Sequence, residues 1–251
     1  MTRKRPSARD PNAGPDSHYE YVPFDDERYL TVFSPEVTRH QSLTESLTQT
    51  EPALRVNIPE GSHYGSRMAF ITSEQWNTQC EDLHARYWIY LPSEFHFTQQ
   101  LKLPFIGNQR TQGGGGRVSD GTGGWSARVA LHENRDAAPG LEFYTYHAEM
   151  EGPYGDHDEW GVELPTAEWA RIDFYVRVNT PGEHDGTIRG WLNGDLGHEV
   201  DELVFRERGY DELGIDEFTF DVYHGGNEAA STETFLAFND LELYANQGAS
   251  P

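Results

Sequence analysis

The sequence predicts an all-β fold, specifically a β-jelly roll in which two antiparallel sheets form a sandwich with a concave cleft. Three observations predict it. Apolar and polar residues alternate over many short segments, Gly-, Pro- and Asn-rich turns separate those segments, and long helical periodicity is absent.

Taken in chain order, residues 1–27 are polar and proline-rich, with Pro6, Pro11, Pro15 and Pro23, and are read as a disordered or loosely attached arm. One continuous domain is expected over 28–245, followed by a short polar tail over 246–251. Strands are expected over 53–58, 66–71, 83–91, 126–132, 141–147, 169–178, 187–192, 218–223 and 234–244. The pattern is clearest where Ile172, Phe174, Val176 and Val178 alternate with Asp173, Tyr175 and Arg177, as in a strand with one buried and one wet face. Asn193-Gly194 reads as a hairpin turn, and 179–182 and the glycine run 113–116 read as loops. Only short pieces such as 73–79 could be helical.

Composition narrows the function. The chain has 251 residues and a formal net charge of -23. That sign excludes a general nucleic-acid binder, which needs a cationic surface, and equally a protein that docks on anionic membranes. Two lysines, Lys4 and Lys102, stand against seventeen arginines. An acidic surface almost free of lysine is expected of a protein working in high salt, where self-repulsion is screened. Cys80 is the only cysteine, so neither an intrachain disulfide nor a multi-cysteine metal site can form. No apolar run reaches the length of a membrane span, and no apolar stretch follows the basic N-terminus to make an export signal.

Three segments carry the chemistry. Lys102, between Leu101 and Leu103, is the only lysine of the presumed domain; a plain surface lysine would look the same. In the segment 125–132, Ser126, Arg128, Ala130 and His132 would share one strand face, as on any half-exposed strand. In the segment 141–147, Glu142, Tyr144 and Tyr146 would share a face. The two tyrosines suit either cross-strand packing or a sugar groove, where the ring stacks and the hydroxyl bonds.

The order of these segments resembles the alginate lyases of polysaccharide lyase family 14 and the related glucuronan lyases of family 20. The resemblance covers roughly residues 50–245. An aromatic strand (Tyr87, Trp88, Ile89, Tyr90, Leu91, Pro92) leads to Lys102-Leu103-Pro104 and a glycine-rich loop. Ser126-Ala127-Arg128 and Tyr144-Thr145-Tyr146 follow, then an aromatic strand ending in Gly225-Gly226 and the closing strand 235–244. The match departs at Phe105-Ile106-Gly107, where the family continues with glycine, and in lacking the family's cysteine near the loop.

The resemblance implies a β-jelly-roll lyase, an extracellular location (a cytoplasmic one stays open, as no export signal is visible), and active-site roles for Lys102, Ser126, Arg128, Tyr144 and Tyr146. In a 4-linked uronate, loss of the C5 proton drives charge into an existing carboxylate. Lys102 and Arg128 would stabilise that charge, and Arg128 could clamp the carboxylate with two hydrogen bonds. Tyr144 or Tyr146 would act as base, acid or both, their phenolates favoured by the two cations. Trp88, Tyr90, Ser126, His132 and His224 are expected to bind substrate, with His132, His147 and His224 as alternative bases. No metal or cofactor is required, the partner is an acidic polysaccharide, and a monomer is favoured. Two other readings stay open: a non-catalytic carbohydrate-binding jelly roll, and a glycoside hydrolase drawing on Glu142, Asp156, Asp158 and Glu159.

Overall fold

The computed structural model describes residues 17–45, 47, 52–97, 99–108, 114–133 and 138–246. In chain order the strands are β1 (Ser17–Val22), β2 (Ser34–Val37), β3 (Gln41–Glu45), β4 (Pro52–Ile58), β5 (Tyr64–Ile71), β6 (Asp82–Tyr90), β7 (Gln100–Asn108) and β8 (Trp125–His132). They continue as β9 (Gly140–Tyr146), β10 (Asp156–Glu163), β11 (Trp169–Arg177), β12 (Gly186–Leu192), β13 (Asp195–Leu203), β14 (Glu217–His224) and β15 (Thr234–Asn246). Two single-turn helices, α1 (Tyr29–Val32) and α2 (Thr72–Gln75), punctuate them. None is long and apolar enough to cross a membrane.

The strands form two antiparallel sheets. The eight-stranded sheet runs β13-β12-β11-β6-β15-β4-β3, with β1 also pairing β15; the seven-stranded sheet runs β10-β9-β8-β7-β14-β5-β2. This is the predicted β-jelly-roll sandwich. Alternation dictates it: Leu83, Ala85, Tyr87 and Ile89 of β6 and Ile172, Phe174 and Val176 of β11 point between the sheets. There they meet Ala127, Val129 and Leu131 of β8 and Phe218, Phe220 and Val222 of β14.

All nine predicted strands are present, to within two residues at each end. The Asn193-Gly194 hairpin joins β12 to β13 with Leu192 paired to Asp195; both turn residues have positive φ, 55° and 100°, as a type I′ turn requires. The piece 73–79 shrinks to the single turn of α2.

The N-terminal arm differs from expectation where it is described. From Ser17 it is a strand of the eight-stranded sheet, paired from Ser17↔Asn246 to Val22↔Leu241. Tyr19 packs on Tyr244 at 4.8 Å, and the buried Phe24 packs on Phe220 at 5.6 Å. Aromatic side chains thus tie in a segment whose prolines pointed to disorder. The part of the arm before Ser17 and the tail from 247 lie outside the described residues.

Candidate active site

The outward face of the seven-stranded sheet, away from the core, carries the cluster. Pairing of β8 with β9 runs without a shift, setting Ser126 opposite Tyr146, Arg128 opposite Tyr144 and Ala130 opposite Glu142. The Ser-x-Arg and Tyr-x-Tyr segments are therefore direct cross-strand neighbours. All four of these polar residues are buried, Arg128 at 7% exposure and Tyr146 at 2%.

A β-bulge places Lys102 there. Between Lys102↔Ala130 and Phe105↔Arg128, β7 spends three residue steps where β8 spends two. Pro104, which has no N–H to give the ladder, falls inside this irregular stretch. The extra residue puts Lys102 and Phe105 on one face while Leu101, Leu103 and Ile106 all reach the core. Opposite Lys102, the small Ala130 leaves room for the long side chain. Lys102 Nζ lies 4.5 Å from the Tyr144 ring centre and 5.6 Å from that of Tyr223. Burial, with the Arg128 charge adding to it, pushes the Lys102 ammonium down to about 8.

Arg128 is held on two sides. Its guanidinium lies 4.2 Å over the Phe105 ring, and Nη1 donates to Asp221 Oδ2 at 2.7 Å. Asp221, on β14, also accepts from Arg67 Nη1 at 3.4 Å. An edge on Asp221 and a face on Phe105 fix the orientation of this planar cation. Phe105 and Asp221 were not anticipated from sequence, because their roles depend on register across three strands.

The tyrosine hydroxyls are 3.0 Å apart and their rings meet edge to face. Gly116 N–H donates to Tyr146 Oη at 3.4 Å, bringing the glycine-rich loop to the cluster; Gly113 lies outside the described residues. Burial, reinforced by the bond to Tyr146, raises the Tyr144 hydroxyl above its ordinary value. This corrects the expectation that nearby cations favour its phenolate: Arg128 acts in that direction, but desolvation wins.

Glu142 is 4% exposed beside Lys102. Burial opposes its ionisation, but His157, at 3.1 Å, and Gln100 hydrogen-bond the carboxylate and hold it below the usual range. His157 is raised in turn, chiefly by that bond, and its ring lies 4.7 Å from Tyr144. Of the other acids considered for hydrolysis, Asp156 pairs with His147 at 2.8 Å.

The remaining expected residues separate. His132 ends β8 against Gly140, close enough to Glu142 to act on its charge. His224 is buried at the end of β14 beside His63, and burial lowers it. Trp88 and Tyr90 are not brought to the cluster. On β6, Leu83 to Ile89 face the core at odd positions, which turns Trp88 and Tyr90 outward from the other sheet.

A family model described as Polysaccharide lyase 14 matches residues 46–241. No curated protein matches. Among solved structures, alginate lyase Aly36B is similar with TM-score 0.73 and 16% identity, over 92% of this chain and 97% of that one. The marine PL-14 alginate lyase from Aplysia kurodai gives 0.65 and 20%, over 81% and 86%. The endo-beta-1,4-glucuronan lyase from the fungus Trichoderma reesei gives 0.57 and 12%, over 86% and 90%.

Proposed function

This chain belongs to the polysaccharide lyase 14 family, and from that premise we propose that it cleaves a 4-linked polyuronate of alginate or glucuronan type by β-elimination. The observation that carries this reading is the convergence of Lys102, Ser126, Arg128, Tyr144 and Tyr146 on one sheet face through two cross-strand pairs and one bulge.

In this reading the uronate carboxylate meets Lys102 and Arg128. Both cations sit where negative charge grows as C5 loses its proton, in a partly dry setting that strengthens them. Tyr146 Oη receives the Gly116 N–H and lies in contact with the Tyr144 hydroxyl, so two donors are available to a phenolate there. We assign Tyr146 as the base that takes the C5 proton. Tyr144, whose proton burial retains, gives it to the departing O4 as the C4–O bond breaks and the C4–C5 double bond forms. Transfer across the 3.0 Å hydroxyl pair then resets both groups. Ser126, opposite Tyr146, orients the ring or the sugar.

The test is ultraviolet absorbance of the conjugated product with polymannuronate, polyguluronate and glucuronan in high salt. A rise with at least one polymer is expected, lowered by about 10² or more in a folded Tyr146→Phe variant. Folded protein that leaves all three polymers intact would refute the polyuronate reading.

A further inference from the structure

The two aromatic residues that the fold turns away from the cluster occupy a surface of their own. Of six tryptophans, Trp125 and Trp160 are in the core and Trp76 packs against it. The other three, Trp88, Trp169 and Trp191, all lie on the outward face of the eight-stranded sheet, partly exposed. Register sets Trp169 beside Tyr90, Tyr90 beside Ala237, and Ala237 beside Arg55. The Tyr90 and Trp169 rings are 5.6 Å apart, and the Arg55 guanidinium lies 3.6 Å over the Phe235 ring. The buried Ala237 separates these two aromatic pairs along the register. One pair further along, Trp88 sits between Arg171 and Asn239.

Around Trp88 the charge of this face is sorted by depth. Asp173 and Glu242 are 4% and 8% exposed at the side chain, whereas Arg86 and Arg171, which pair with them or beside them, are 30% and 29% exposed. Burial opposes ionisation of Asp173, but His84, Arg86 and Arg171 hold it at about 2. Around Trp88 solvent therefore meets guanidinia while the anions lie beneath; exposed carboxylates of this face, Glu199 and Asp201 at 32% and 52%, lie away from it on β13. Aromatic faces suit the C–H faces of pyranose rings, and guanidinia suit carboxylates.

We propose that this face is a second, non-catalytic binding surface for an acidic polysaccharide, on the side of the sandwich opposite Lys102. It rests on the polyuronate reading above and extends it. Two sheets pack roughly 10 Å apart, so with side chains the two surfaces are on the order of 20 Å apart through the molecule. A short oligosaccharide bound at one does not reach the other, whereas a long or entangled polymer engages both and gains from effective concentration.

The experiment is affinity electrophoresis of the full chain through gels containing polymannuronate, polyguluronate or glucuronan. Lys102→Ala serves as the background so that polymer survives. Trp169→Ala and Arg55→Gln are compared in that background, with thermal melts as the check on folding; Arg55→Gln removes a cation without removing a ring. The expected result is an apparent Kd for the polymer raised about fivefold or more in each folded variant. Unchanged retardation of folded Arg55→Gln and Trp169→Ala would overturn the second surface alone, provided the parent enzyme turns the polymer over. Absence of both turnover and retardation with every polyuronate would instead overturn the parent reading, and this one with it.

Discussion

Lys102 is the residue at which function and stability pull against each other. Its ammonium titrates at about 8 in the folded chain but near 10.4 unfolded. The unfolded state therefore binds the proton more tightly, and below pH 8 the folded state bears a penalty of about 1–3 kcal/mol. That penalty fades as pH rises from 8 to 10.5. Lys102→Met is expected to be more stable than the parent by that amount at pH 7 in urea denaturation, and to lose the advantage near pH 10.5. No gain at pH 7 would mean the ammonium is well solvated where it stands. The proposed role needs the charged form, and the share of enzyme that carries it falls about tenfold per pH unit above 8, so Lys102→Arg, which keeps its charge there, is expected to move the alkaline limb of kcat/KM upward. An alkaline limb that stays in place in Lys102→Arg would remove Lys102 from the charge-stabilising role.

At the scale of the element, the β7 bulge decides which side of the sheet the lysine occupies. Deleting Pro104 removes the extra residue and turns either Lys102 or Phe105 toward the core. We expect a loss of more than about 3 kcal/mol, since either a charge is buried or an aromatic anchor is lost, together with the loss of turnover. A melt within a few degrees of the parent would show that the register adapts. The same bulge explains what was legible in sequence. Alternation disclosed β4, β5, β6, β8, β9, β11, β12, β14 and β15, because each buries one face. It missed the short β1, β2 and β3, β7, interrupted by Pro104, and β10 and β13, whose glycine and acidic residues mask a weak alternation. In the cluster, the shared faces of Ser126 with Arg128 and of Tyr144 with Tyr146 were legible because each pair lies within one strand, while the choice of these residues came from the family resemblance. Asp221 behind Arg128, and His157 on Glu142, were not, because contact between strands follows from register. Trp88 and Tyr90 show the opposite hazard: aromatic content pointed to sugar, but not to which sheet.

At the scale of the molecule, the charge of -23 makes stability and the approach of a polyanion depend on salt. Self-repulsion and repulsion of a polyanion both weaken as the Debye length falls from about 10 Å at 0.1 M salt to about 3 Å at 1 M. Over that range the melting temperature is expected to rise and KM for polyuronate to fall, measured by calorimetry and by the absorbance assay. A KM that rises with salt would mean that the local cations dominate the approach of the substrate. The sheet order has one more consequence. Strand β14 stands between β7 and β5, and β15 stands between β6 and both β4 and β1. Without these two, the eight-stranded sheet divides into a four-stranded piece ending at β6 and remnants around β4, and the other sheet divides at β7. During synthesis, then, neither half of the sandwich can close until residues beyond 217 have left the ribosome. Until then the nascent chain carries exposed strand edges, and the strands over 217–246 are what cover them.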